Sequence, residues 1–265
     1  MPTLYSSLGI AYGTQPRQSC DIFIPESQDD STLVACFHGG WWSHGRHEDL
    51  RAFCLHLAEL GRPCAAIGYR LLGEGARSGQ DVIDDARLGT LKAIEEAACA
   101  GSNPASIVLL GSGSGSLIAM AVATQLSQDA KLHVRGAIAC GVSPTLEQWE
   151  GCSATVAKAL DQFAGTQRHA FSPLHLQPDL LPPLLLLHGD NDLEVPAKLA
   201  QRLHARVVEA GEVSTLAILS GLGHQFIEQP FERGAKAALE RILPFLQEHA
   251  RTPEREQLFA GRGQG

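Results

Sequence analysis

The chain has 265 residues, 44% of them hydrophobic and 19% charged, with a net charge of −8. That length suffices for one large domain with a sizeable core, and the composition is that of a globular, soluble protein. The acidic balance and the lack of a basic cluster exclude a nucleic-acid partner and an anionic membrane surface, and apolar runs such as Leu184–Leu187 are far too short to span a bilayer. The first residues, "MPTLYSSLGIAYG", lack a charged region followed by an apolar one, so no secretory signal is expected. Short apolar runs predict strands at Asp21–Ile24, Thr32–Phe37, Cys64–Gly68, Ser106–Leu110, Val134–Cys140, Pro183–Leu187 and Ser214–Leu219. Helical patterns fall at Glu48–Leu60, Gln80–Ala98, Gly115–Leu126, Pro196–Ala210 and Phe231–His249, with Pro196 as the first residue of its helix. This alternation predicts an α/β fold: one domain over residues 1–250, with a mostly parallel central sheet and helices on both faces. Residues 141–181 show no strand and read as a small cap or insertion, and residues 251–265 as a flexible tail.

Seven cysteines without a C-x-x-C pair predict reduced thiols in the cytoplasm, several of them buried as small hydrophobes. Cys140, at a strand end, is a candidate reactive thiol, although nothing in the sequence indicates the lowered pKa it would need. His44, His47 and His56 match no strong zinc spacing, so they are read as surface residues, and no metal or cofactor is expected.

In parallel sheets, ligands bind at the carboxyl ends of the strands. There the sequence places His38-Gly39-Gly40-Trp41-Trp42, the turn Gly111-Ser112-Gly113-Ser114-Gly115, the stretch His188-Gly189-Asp190-Asn191-Asp192, and Gly221-Leu222-Gly223-His224. Acyl transfer needs a nucleophile, a base, an acid to orient the base, and donors for the oxyanion. The chain order here is turn, Asp192, His224. Gly111 and Gly115 are spaced like the outer pair of a G-x-S-x-G nucleophile elbow.

From about Tyr12 to about His249 the chain resembles the α/β-hydrolase superfamily. Within it the chain is similar to the small carboxylesterase and arylformamidase (kynurenine formamidase-like) group. The motifs that carry this are "HGGWWSHG", "YRL", "DVIDDAR", "NPASIVLLGSGSGSLIA", "SPLHL", "LLLLHGDNDLEVP" and "GLGHQF". The resemblance implies His224 as base and Asp192 as the acid that fixes its tautomer. Asp190 is left to stabilise the loop, and Glu194 is a lesser candidate for the acid. It implies an oxyanion hole from the N–H groups of Gly40, Trp41 and Ser114. His38, Gly39 and Trp42 complete the binding loop, with His38 bracing it. The two Trp line an aromatic acyl or leaving-group pocket, at least one of them packing into the core.

The nucleophile slot of that pattern falls on Gly113, where the family has Ser. Ser112 falls where the family usually has His, and Ser116 replaces the following Gly. Ser114 is the alternative nucleophile, but a one-residue slip to present it would put Ser112 and Ser116 in the two close-packed glycine positions. The expected function is therefore hydrolysis of a carboxylic ester or aryl formamide, weak, altered or abolished by the missing hydroxyl. The first alternative is a non-catalytic or proton-transfer (lyase-type) protein that holds a small carbonyl ligand, with His224 as base. The second is a dinucleotide-binding protein, because Gly111-Ser112-Gly113-Ser114-Gly115-Ser116 nearly fits G-x-G-x-x-G/A; against it, "GAIACGV" ends the next strand without an acid. The expected partner is a small-molecule ester, amide or carbonyl ligand, with no nucleic acid and no membrane, and self-association is left open.

Overall fold

A computed structural model describes residues 3–27, 32–102, 104, 106–129 and 132–250. In chain order, these form β1 (Leu4–Ala11), β2 (Ser19–Pro25), β3 (Leu33–Phe37), α1 (Arg51–Glu59), β4 (Cys64–Ile67), β5 (Leu71–Leu72) and β6 (Gly75–Ala76). Then come α2 (Gly79–Cys99), β7 (Ser106–Ser112), α3 (Gly115–Leu126), β8 (His133–Cys140), α4 (Ala154–Ala164), β9 (Leu184–Gly189), α5 (Ala197–Glu209), β10 (Ser214–Leu219) and α6 (Arg233–Ala250). The tail expected over 251–265 lies outside the described residues.

Eight strands make one sheet in the order β1-β2-β4-β3-β7-β8-β9-β10, while β5 and β6 form a separate small pair. From β4 to β10 every neighbouring pair is parallel; β1–β2 and β2–β4 are antiparallel. The continuous apolar strands follow from burial on both faces. Leu33, Ala35, Phe37, Ile107 and Leu109 pack into the core under α2, α3 and α5. Their neighbours Val34, Cys36, Val108 and Leu110 pack on the opposite side, under α1 and α6. The chain winds one way from β3 to β4 and the other way from β7 to β10, so the switch point lies between β3 and β7. Ligands bind at such points, outside the carboxyl ends of the strands.

Besides the short pair β5 and β6, which no apolar run predicted, three further elements depart from the sequence expectations. β1 was not expected because a bulge between Ser7 and Ile10 breaks its alternation; Gly9 there has φ +66 and donates its N–H to Asp21 Oδ1 at 2.8 Å. Residues 141–181 contain α4, whose buried Val156, Ala159, Leu160, Phe163 and Ala164 follow helical spacing. Pro196 is the cap of α5 and not its first helical residue: its ψ of 130° is extended, so the helix begins at Ala197.

Candidate active site

The strand β7 and the helix α3 meet in the turn Gly111-Ser112-Gly113-Ser114-Gly115. A Cβ on Gly111 would fall 2.2 Å from the carbonyl oxygen of Gly115, and one on Gly115 would fall 2.3 Å from that of Phe37. Both obstacles are backbone, so no serine fits at either place and the register of the turn is fixed. Gly113 lies between them with φ +51, a left-handed conformation that strains other residues. Its N–H donates to the Cys140 carbonyl at 2.7 Å, and its carbonyl accepts from the Ser116 N–H at 3.0 Å. A Cβ at position 113 would stand 3.0 Å from His224 Nε2.

The neighbouring serines face elsewhere. The Ser112 hydroxyl donates to the Glu228 carboxylate. Ser116 Oγ donates to the carbonyls of Gly111 and Cys140, at 2.8 and 3.2 Å. Ser114 Oγ is buried with no hydrogen-bond partner among the described residues. A buried hydroxyl without a partner destabilises by about 1 kcal/mol or more. Ser114→Ala therefore raises the melting temperature by roughly 2–4 °C in a thermal melt; a lower melting temperature would show that the hydroxyl is used.

His224 follows β10, and its Nδ1 donates to Asp192 Oδ2 at 2.8 Å. That leaves Nε2 as the acceptor turned toward position 113. Asp192 is fully engaged. Its Oδ2 also lies 3.0 Å from His188 Nε2, and its Oδ1 accepts from the N–H groups of Glu194 and Val195 at 2.9 and 2.8 Å. Burial acts to raise the Asp192 carboxyl, but hydrogen bonds from His188 and His224 hold it well below the usual carboxylate range. Burial likewise acts to lower His224. The hydrogen bond and charge of Asp192, with the charges of Glu194 and Glu228, outweigh it and raise His224 above the ordinary value of 6.5.

The loop after β3 closes the other side. Trp41 and Trp42 have φ of 49 and 58, consecutive left-handed conformations that strain non-glycine residues by about 1–3 kcal/mol each. Packing and hydrogen bonds hold them there. Trp42 is fully buried, its ring 4.0 Å from that of Phe163, and its Nε1 donates to the Ser114 carbonyl at 3.2 Å. Trp41 lies parallel to the His224 ring with centroids 6.1 Å apart, and its Nε1 donates to Glu194 at 3.0 Å. Glu194 thus anchors Trp41, and Asp190 accepts from the Gly221 N–H at 2.6 Å. His38 is buried and stacked on Tyr69 with centroids 4.2 Å apart; its Nδ1 donates to the Gly39 carbonyl at 2.6 Å, and burial lowers it to about 4. Gly39 leaves room for the turn, since a Cβ there would stand 3.1 Å from the Ser112 carbonyl. Among the described residues, the N–H groups of Gly40, Trp41 and Ser114 donate to no protein acceptor.

Residues 34–228 match the family described as alpha/beta hydrolase fold. The chain belongs to that family. It is 27% identical over 261 residues to a probable isoprenylcysteine alpha-carbonyl methylesterase of Oryza sativa subsp. japonica, covering 88% of this chain and 62% of that protein. It is 25% identical over 133 residues to kynurenine formamidase of Danio rerio, covering 49% of this chain and 43% of that one. This alpha/beta hydrolase thus spans less than two thirds of the curated relatives it matches. It superposes on esterase B from Lactobacillus Rhamnosis with a TM-score of 0.78, at 18% identity, covering 96% of this chain and 88% of that one.

In this alpha/beta hydrolase, two sequence expectations are corrected. His47 is buried and not a surface residue. The buried Asp21 carboxylate gathers it at 3.5 Å together with Arg51 at 2.7 Å, because a buried charge needs partners. His56 is half-buried against Phe231, the ring centroids 5.2 Å apart. Cys140, the lesser thiol candidate, is buried as the reading of the cysteines as small hydrophobes expects, and burial with the charge of Glu228 pushes its pKa up. Three residues at the site were not singled out. His188 is fully buried, and with both Asp192 Oδ2 and the Val195 carbonyl (2.9 Å) around Nε2, its proton sits there. Trp149 stands 6.3 Å from Trp41 between ring centroids, and Gly141 leaves room for the backbone and ring of His224. The place of His188 directly after an apolar strand was a usable signal; Trp149 had none. Among the described residues, no helix is long and apolar enough to cross a membrane.

Proposed function

We propose that this alpha/beta hydrolase is an esterase or amidase for small carboxylic esters or aryl formamides. Its acyl-transfer site is assembled around a nucleophile slot at Gly113, so its turnover as it stands is weak. One observation carries this reading: a side chain at position 113 would point at His224 Nε2, while His224 Nδ1 is held by Asp192. The N–H groups of Gly40, Trp41 and Ser114 serve as donors for the oxyanion, and His38 and Gly39 brace the loop that presents two of them. Without a hydroxyl at 113, His224 takes its proton from a water molecule that attacks the carbonyl directly, then returns it to the leaving group. The oxyanion donors and binding then supply about 10³–10⁴-fold over water.

The names of the relatives support an ester or formamide carbonyl as the substrate class. Trp41 and Trp149, with Leu193 fully exposed beside Asp192, favour an apolar acyl or aryl group. Residues 141–181 act as a small cap that carries Trp149. A dinucleotide site is not favoured, because Gly141, at the end of β8, abuts His224 and no acid stands there.

The base works only when neutral, so activity falls as pH drops through a midpoint above 6.5. Glu228→Gln removes one of the charges that raise His224 and moves the midpoint down. The pH profile of kcat/KM toward p-nitrophenyl acetate and an N-formyl aromatic amide tests this. A midpoint below the ordinary histidine value would overturn His224 as the base. Tight ligand binding with no hydrolysis, even in Gly113→Ser, would instead favour a binding protein.

A further inference from the structure

The segment between β8 and β9 brings together three metal-ligating side chains outside the site described above. Glu147, His169 and His175 lie with one ligand atom each within 4.8 Å of the others. His169 Nε2 is 3.3 Å from Glu147 Oε1, and His175 Nε2 is 3.5 Å from the same oxygen. The two rings stack with centroids 4.4 Å apart and planes 23° from parallel, so an ion shared by both requires one ring to turn about its Cβ–Cγ bond.

These distances are longer than those of good N–H···O hydrogen bonds, about 2.7–3.2 Å. They match the edge of a tetrahedron about an ion bound at roughly 2.0–2.2 Å, which is about 3.3–3.6 Å. The backbone segments that carry the three side chains are joined independently of them. The Leu146 N–H donates to Ser172 Oγ at 2.9 Å, the Leu174 N–H donates to the Pro144 carbonyl at 2.8 Å, and Arg168 holds the Leu146 carbonyl. So the stretch carrying Glu147 is already tied to the turn carrying both histidines. The donor set is two imidazoles and one carboxylate, exposed enough for water to complete the coordination.

The geometry points to a binding site for one divalent transition-metal ion, zinc(II) by ligand type, formed by Glu147, His169 and His175. Imidazole nitrogen selects Zn²⁺, Ni²⁺ or Cu²⁺ over the oxygen-preferring Mg²⁺ and Ca²⁺. An ion there clips residues 146–149 to residues 168–175, and so steadies Trp149 beside Trp41 without joining the chemistry at Gly113.

Calorimetric titration of the full chain with Zn²⁺ alone tests the site, with Mg²⁺ as the comparison. One saturating ion per chain at micromolar affinity is expected, with no response to Mg²⁺. His169→Ala and His175→Ala each weaken Zn²⁺ by at least about tenfold. Glu147→Gln keeps the shape, removes the charge and weakens it likewise. Zn²⁺ also raises the melting temperature of the unsubstituted chain but not of the His169→Ala/His175→Ala pair, whose far-UV spectrum is unchanged. Equal Zn²⁺ affinity in the unsubstituted chain and that pair, or the absence of saturable binding, overturns the proposal.

Discussion

Gly113→Ser raises kcat/KM toward p-nitrophenyl acetate by at least about a thousandfold. Removing the serine from a complete triad costs more than that, so the return is set by how well the remaining groups already stand. Here Asp192 is fully hydrogen-bonded, His224 is in the tautomer that leaves Nε2 free, and the elbow has its left-handed residue at 113. The new Cβ stands 3.0 Å from Nε2, so His224 must give way by a few tenths of an ångström. Its ring faces Trp41 on one side and glycine 141 behind, which leaves room for that adjustment. In that variant, Asp192→Asn then loses most of the gain, because the base is no longer held in its working tautomer. A folded Gly113→Ser protein with unchanged kcat/KM would remove position 113 from the chemistry.

Gly111→Ala lowers the melting temperature by roughly 6–12 °C, from a loss of about 3 kcal/mol or more. The added methyl would fall 2.2–2.3 Å from three backbone atoms of Gly115 and Ser116, none of which moves without opening the elbow. Gly73→Ala is the control. Gly73 has φ +83 and nothing within 4 Å of an added Cβ, so its cost is backbone strain alone, about 1 kcal/mol. Similar melting temperatures for the two variants would mean that the outer glycines do not fix the register. The elbow would then be free to slip toward Ser114.

The sheet was legible because its inner strands β3, β4, β7 and β9 are almost wholly buried apolar runs, and Leu184–Leu187 leaves no other reading. β1 was not, because its pairing is made by backbone and its bulge at Gly9 erases the period. α4 carried a helical pattern in Val156, Ala159, Leu160 and Phe163, but Ser, Gln and Pro around it hid the run. The site was legible in its order, since Gly113, Asp192 and His224 each follow a strand. What the chain order does not carry is side-chain company. The second histidine on Asp192 and the burial of His47 depend on which charge is sealed from water. The left-handed backbone of Trp42 is held by Phe163 and Ser114, and that of Trp41 by Glu194, all far away in sequence.

Covalent labelling with a p-nitrophenyl phosphonate, located by peptide mass, tests the slot at 113 most directly. An activated serine hydroxyl beside His224 and the oxyanion donors is phosphonylated; a glycine cannot be. Gly113→Ser takes up one phosphonate per chain, on the side chain at position 113, and the unsubstituted chain takes up none. A phosphonate found on Ser112 or Ser114 of the unsubstituted chain would contradict the assignment of Gly113 as the nucleophile slot.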